Sequence, residues 1–270
     1  MTDARVPEAG IRGARWASIK RVGLDVGRSV EGAVAGREGM VLVPAGPFVM
    51  GSEEFARERP VHTVDLPAFW IDRFPVTNEG FAIFVGATAH RVPVDWVDGA
   101  PRPGTLRFPV MVTWTDADSY ARWAGKRLPS EAEWEKAARG TDGRRYPWGN
   151  TWDTDKARTW ETAVVADERL EPVDARPQGA SPYGAEQMVG LLEEWCSDWY
   201  DAYPGSGYTS LGYGERFRVL RGGAWIFTQT HARCAYRCFE LPSRPPEEMA
   251  VLGAPTFRCV TDARPGEETL

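Results

Sequence analysis

Cysteine and histidine are scarce in this 270-residue chain, with four and three copies, and neither forms a metal-binding pattern. Cys196, Cys234, Cys238 and Cys259 contain no Cys-x-x-Cys pair, and His62, His90 and His231 are scattered, so no zinc set is expected. No apolar run reaches the ~18 residues of a transmembrane helix. The opening Met-Thr-Asp-Ala-Arg-Val-Pro-Glu has no apolar stretch of signal-peptide type. These absences predict a cytoplasmic protein whose thiols stay reduced. Basic excess is missing too: 32 Lys+Arg against 38 Asp+Glu give a formal charge of -6, which excludes a general nucleic-acid footprint. The chain is rich in Trp (12) and Gly (28), which suggests a loop-rich fold held by aromatic anchors.

Residues 1–38 read as an N-terminal extension. Trp16, Ile19, Val22, Val26 and Val30 recur at helical spacing, but Gly23 and Gly27 weaken that helix by roughly 1 kcal/mol each. The face either docks on a partner or packs on its own domain. A compact domain is expected over 39–262, with 263–270 as a tail. Met40 to Ser52 reads as two short strands around a Pro-Ala-Gly-Pro turn, and Val61 to Val76 as extended chain. Helices are predicted near 77–85 with Thr77 as cap, 116–124 with Thr115 as cap and Gly125 as stop, and 131–139. The third opens with a capping box, Ser130-Glu131-Ala132-Glu133, and stops at Gly140. A proline-rich loop spans about 86–110, and 141–215 reads as loops around aromatic anchors. Arg218 to Trp225 looks like a strand entering a glycine turn, with closing strands at Tyr236–Cys238 and Phe257–Val260.

Motifs follow one another in a fixed order: Met40-Val-Leu-Val-Pro-Ala-Gly-Pro-Phe-Val-Met-Gly-Ser52, Pro60-Val-His-Thr-Val, Phe74-Pro-Val-Thr-Asn78, Phe108-Pro-Val-Met-Val-Thr-Trp114 and Ala124-Gly-Lys-Arg-Leu-Pro-Ser-Glu-Ala-Glu-Trp-Glu135. Then come Tyr146-Pro-Trp-Gly-Asn150, Trp195-Cys-Ser-Asp-Trp-Tyr200, Arg218-Val-Leu-Arg-Gly-Gly-Ala-Trp225 and Ala235-Tyr-Arg237. Together they resemble the formylglycine-generating enzyme (sulfatase-modifying factor) superfamily over about 40–262. The resemblance implies one α+β domain of formylglycine-generating-enzyme type, a variant C-type-lectin-like fold with few regular elements and long loops.

The same resemblance argues against the family's oxidase activity. Its members that generate formylglycine bind copper(I) with two cysteines after the Gly-Gly turn, and soft thiolates suit that ion. Those positions fall on Phe227 and at about Ala232, so copper is not expected. A family calcium motif, Gly-Asn-Val-Trp-Glu-Trp, stands here as Gly190-Leu-Leu-Glu-Glu-Trp195, which leaves Glu194 as the calcium candidate. At a second calcium site an Asn is replaced by Arg158. Cys238 and Cys259 match family half-cystines whose mates fall on Ala121 and Ala138, so four free thiols are expected. Iron-dependent relatives that make sulfur-containing histidine betaines carry their ligands in an added N-terminal domain, and residues 1–38 contain no His.

Among individual residues, His62 reads as structural, and His231 is either structural or functional. Glu131, Glu133 and Glu135 fit helix-start electrostatics. Glu193, Glu194 and Asp198 read as a solvated acidic turn rather than a metal set. Arg216, Arg218, Arg221, Arg233 and Arg237 crowd one region, some pairing internally and some suited to an anionic ligand. The resulting candidate site is a groove after Gly222-Gly223 bearing Trp225, Phe227 and His231, with Arg233 and Arg237 nearby and Trp225 as a buried anchor. The leading expectation is a domain that binds a protein partner or small ligand, serving as an accessory subunit of a larger complex. The alternatives are an oxidative enzyme of the same fold, and a retroelement-diversified binder varying at Ile226, Phe227, Thr228, Thr230 and His231.

Overall fold

The computed structural model describes residues 37–93, 95–163, 170–243 and 254–267. The helical face expected within 1–38 lies outside the described residues. Three small antiparallel sheets carry the fold. β1 (Met40–Val43), β4 (Phe69–Asp72) and β8 (Val260–Asp262) form the first, with β4 central. β2 (Gly46–Met50) pairs β3 (His62–Leu66), with Met50 opposite His62. β5 (Glu194–Trp199), β6 (Arg218–Arg221) and β7 (Arg237–Glu240) form the third, with Leu220 opposite Cys238. The turn at 44–45 therefore does not make a hairpin, because β1 and β2 go to different sheets.

Helices α1 (Asn78–Thr88), α2 (Trp114–Trp123) and α3 (Glu131–Arg139) sit where the sequence predicts them, and short α4 (Trp160–Ala163) falls in the region read as loop. Thr77 caps α1, which runs past Val85 until Ala89 turns left-handed at φ 55. For α2 the cap is Thr113 rather than Thr115: its hydroxyl accepts from Asp116 N while Asp116 reaches back. Both threonines have an acid three residues on, Asp116 for Thr113 and Asp118 for Thr115, so the local pattern does not choose between them, and the reciprocal box forms at Thr113. The Ser130 box of α3 forms as expected.

Trp134 and Trp195, both 0% exposed, sit in two neighbouring apolar clusters. The closing strand is Val260–Asp262 rather than Phe257–Val260. Residues 263–267 are attached rather than a free tail: Glu267 accepts from the Trp70 indole at 3.1 Å and pairs with Arg37. Among the described residues no helix is long and apolar enough to cross a membrane.

Candidate functional site

The glycine turn leaving β6 is forced by close backbone. A Cβ on Gly222 (φ 92) would stand 2.8 Å from Met188 O, and one on Gly223 (φ 68) 2.6 Å from His231 O. Only glycine tolerates both the positive φ and that approach. The following loop, 224–236, is pinned by its backbone. Trp225 N donates to Leu191 O at 3.0 Å, and Phe227 O accepts from Trp160 N at 2.9 Å. Gln229 N donates to the Glu161 carboxylate at 3.1 Å. Helix α4 thus clips the loop from outside, a contact that the sequence reading missed.

On this frame Phe227 stacks on His231 with centroids 5.1 Å apart and planes at 30°, and His231 meets Tyr236 edge-on at 5.1 Å. Trp160 beside them is 53% exposed. Phe227 and His231 are half-buried, and so is Trp225, which is not the buried anchor the sequence suggests. The backbone bond to Leu191 holds Trp225, so its ring need not be enclosed. Burial, then Arg57 and Arg233, lower the His231 pKa and favour the neutral ring. The arrangement is a ridge of aromatic and imidazole faces with a neutral donor–acceptor at its centre.

The arginines behave differently. Arg237 is 2% exposed and gives Nε and Nη2 to Glu131 at 2.6 and 2.8 Å. Its Nη1 goes to Arg57 O, so no part of its fork is left for a ligand. Arg233, 1% exposed, pairs bidentately with Glu58 at 2.9 and 2.8 Å. Both belong to the scaffold rather than to a ligand-reading pair, because a guanidinium removed from water must be neutralised. Arg221, 0% exposed, joins Glu131 and Glu135 at 2.8 and 2.5 Å, and Glu135 also takes Arg139 at 2.6 Å. Burial opposes ionisation of Glu131, yet Arg237 and Arg221 outweigh it and hold its carboxyl low. Of the three acids on α3, Glu131 and Glu133 lie in the first turn and Glu133 closes the capping box, while Glu135 lies beyond it. His62 is structural: Nδ1 lies 2.8 Å from Pro60 O and the ring meets Tyr203 edge-on.

The acidic turn is not solvated. Glu194 is 1% exposed, and Arg258 takes both its oxygens at 2.7 Å while the Trp134 indole adds 2.9 Å. A calcium ion would have to displace a cation from those oxygens, so Glu194 does not fit the role expected of it. At the other calcium position Arg158 is 5% exposed and its carbonyl accepts from Leu191 N. Among the described residues no group of three or more His, Cys, Asp or Glu is placed to hold a metal ion. Glu193, read from the sequence as part of that solvated turn, is half-buried. Its Oε1 is buried without a partner. Burial pushes its carboxyl up to about 7, against the Cys238 thiol bonded to it and with Glu240 adding to the rise.

The profile of the sulfatase-modifying factor enzyme 1-like domain matches residues 28–263. The formylglycine-generating enzyme of Streptomyces coelicolor is 34% identical over 83% of this chain and 90% of its own length. A hercynine oxygenase of Mycolicibacterium smegmatis is 36% identical over 78% of this chain and 60% of its own. The serine/threonine-protein kinase Pkn1 of Chlamydia trachomatis is 36% identical over 83% of this chain and 38% of its own. This chain spans less than two thirds of the last two. Among solved structures, PvdO from Pseudomonas aeruginosa superposes with a TM-score of 0.66 at 26% identity, covering 83% of this chain and 94% of that one. Treponema denticola variable protein 1 superposes at 0.63 with 21% identity, covering 83% and 95%. The fold is of formylglycine-generating-enzyme type.

Proposed function

The chain belongs to the sulfatase-modifying factor enzyme 1-like family, and on that premise we propose that it is a recognition domain that does not generate formylglycine. It binds a protein segment or small ligand on the ridge of Trp160, Phe227 and His231, as an accessory part of a larger assembly in a reducing, cytoplasmic setting. The observation that carries this reading is the ridge: Phe227 and His231 on a loop pinned by backbone bonds, with exposed Trp160 beside them on α4. Rigid aromatics anchor interfaces at low entropic cost, and they carry a large share of interface energy.

The resemblance puts the family's copper-binding thiols at Phe227 and about Ala232, which offer a ring and a methyl group. Cys234 does not substitute for them. It is 0% exposed, and burial raises its thiol to about 12. The kinase relative matches over only 38% of its length, which fits a domain that works joined to other parts.

The test has two arms. Incubation with copper(I), oxygen and a cysteine peptide should yield no aldehyde by mass spectrometry. Selection from a displayed peptide library should return ligands that Phe227→Ala and His231→Ala lose while the melting temperature holds. Aldehyde formation, or ligands indifferent to both substitutions, would overturn the proposal. The hercynine oxygenase relatives favour a second reading, oxidation of a small molecule. Stoichiometric iron or copper in the purified protein would move the assignment there.

A further inference from the structure

A cleft of about 390 Å³ opens beside the ridge, lined by Ser52, Glu53 and Glu54 on one side and by Arg139, Arg145 and Arg233 on the other. Phe227 and His231 do not line it. Its size suits a small ligand or the end of a peptide.

Two of the three guanidiniums are spoken for. Arg139 is spent on Glu135 and on the carbonyls of Gly51, Gly143 and Arg144. Arg233 is spent on Glu58 and Thr230 O. Arg145 differs. Its Nε donates to the Tyr146 hydroxyl at 3.0 Å, and its backbone N donates to Asn150 Oδ1 at 2.9 Å, so the side chain is aimed from behind. Its Nη1 meets Glu54 at 2.7 Å, and the Arg145 side chain is 39% exposed.

Glu54 is the unusual partner. It stands at 2.7 Å from Arg145 and 3.5 Å from Arg233, one carboxylate between two guanidiniums. It sits on a short turn where its own N–H donates to Ser52 Oγ at 3.1 Å, and its side chain is 35% exposed. An ion pair this open is weak and readily exchanged. Neighbouring Glu53 pairs outward with Arg59 at 3.1 Å. With Glu58 fixed on Arg233 and Glu135 on Arg139 and Arg221, withdrawal of Glu54 uncovers the guanidinium of Arg145.

We propose that this cleft is a carboxylate-binding site and that Glu54 is a tethered stand-in which the ligand displaces. A single uncovered guanidinium matches a monoanion, and Glu54 already marks where its carboxylate sits, on a planar fork suited to a carboxylate. A dianionic phosphate would leave surplus negative charge beside Glu54, Glu58 and Glu135. The carboxylate belongs to a free organic acid or to a peptide C-terminus. This site stands whether or not the aromatic ridge binds anything.

The experiment is a two-dimensional NMR titration of the full chain with N-acetylalanine, N-acetyl-tetraalanine as the free acid, its C-terminal amide, and inorganic phosphate. Wild-type protein should bind the carboxylates weakly and saturably, with shifts centred on Arg145 and Glu54. Glu54→Ala should tighten that binding at least tenfold, and Arg145→Gln should abolish it. Both side chains are exposed enough that the melting temperature should stay put. Tighter binding of the tetrapeptide acid assigns a peptide end, and tighter binding of N-acetylalanine assigns a free acid. The proposal falls if Glu54→Ala binds no carboxylate, if Arg145→Gln binds as wild type, or if the amide or phosphate binds as well as the acids.

Discussion

Helix α3 with the strands behind it, and the loop that follows Gly222-Gly223, lie a few residues apart and are held in opposite ways. The first is held by side-chain charge: Glu131 and Glu135 between them bind Arg221, Arg237 and Arg139 away from water. The second is held by main-chain bonds to Leu191 and Trp160, so its side chains are released to face outward. Buried ion pairs rarely add net stability, but they punish the loss of one partner. Backbone bonds punish nothing when a side chain changes. In this protein charge marks the frame, and aromatic rings marked by no charge are the candidate for contact.

The largest test of that contrast is Glu131→Ala. It strands Arg237 without a carboxylate and leaves Arg221 with Glu135 alone, and a broken buried pair costs about 3–5 kcal/mol. Phe227→Ala, at a half-buried position on the loop, should cost under about 1 kcal/mol. Urea unfolding of the two variants side by side measures the gap. Equal losses would erase the distinction between frame and loop.

A middle-sized effect is expected where the two regions meet, at Glu193. Its unfolded carboxyl titrates near 4.5 and its folded one near 7, because burial holds the proton on. Between those values the unfolded state has lost its proton and the folded state has not, so stability falls as pH rises from 4.5 to 7. The shift corresponds to about 2–3 kcal/mol. Glu193→Gln should match wild type near pH 4 and exceed it above pH 7. Parallel stability curves for the two proteins would show that Glu193 is not the group responsible.

The same contrast explains what the sequence made legible. The capping box of α3 and the glycine turn announced themselves, because local chemistry dictates them: Ser130 with Glu133, and Gly222-Gly223 against Met188 and His231. Arg233 and Arg237 looked like ligand readers because spacing alone does not say which carboxylate folds onto which guanidinium. Their partners, Glu58 and Glu131, lie 175 and 106 residues away. Glu194 was misread for the same reason, its partner being Arg258. The Trp160 clip left no periodic signal, since four residues make one turn. Glu193 did leave one: the resemblance sets a Trp of the family motif against this acid.

The smallest effect is expected from redox conditions, and it tests whether the frame needs covalent help. Cys196, Cys234 and Cys259 are buried, Cys238 is half-buried, and all four are free. The resemblance places mates for Cys238 and Cys259 at Ala121 and Ala138. Both alanines are 0% exposed, and Ala121 packs in the apolar cluster that holds Cys259. Apolar contact therefore does at these positions what a bridge does in a disulfide-bonded domain. Burial raises the Cys196 and Cys259 thiols well above their ordinary value and Cys238 likewise, which suppresses the reactive thiolate. Thiol titration without reductant should return four groups in denaturant and react slowly in the native state. Adding a reductant should leave the melting temperature within about a degree, since no bridge, worth about 2–4 kcal/mol, is there to break. A titre of two with a reductant-sensitive melt would mean that a covalent staple, and not the buried ion pairs and packing alone, holds the frame against which the loop is set.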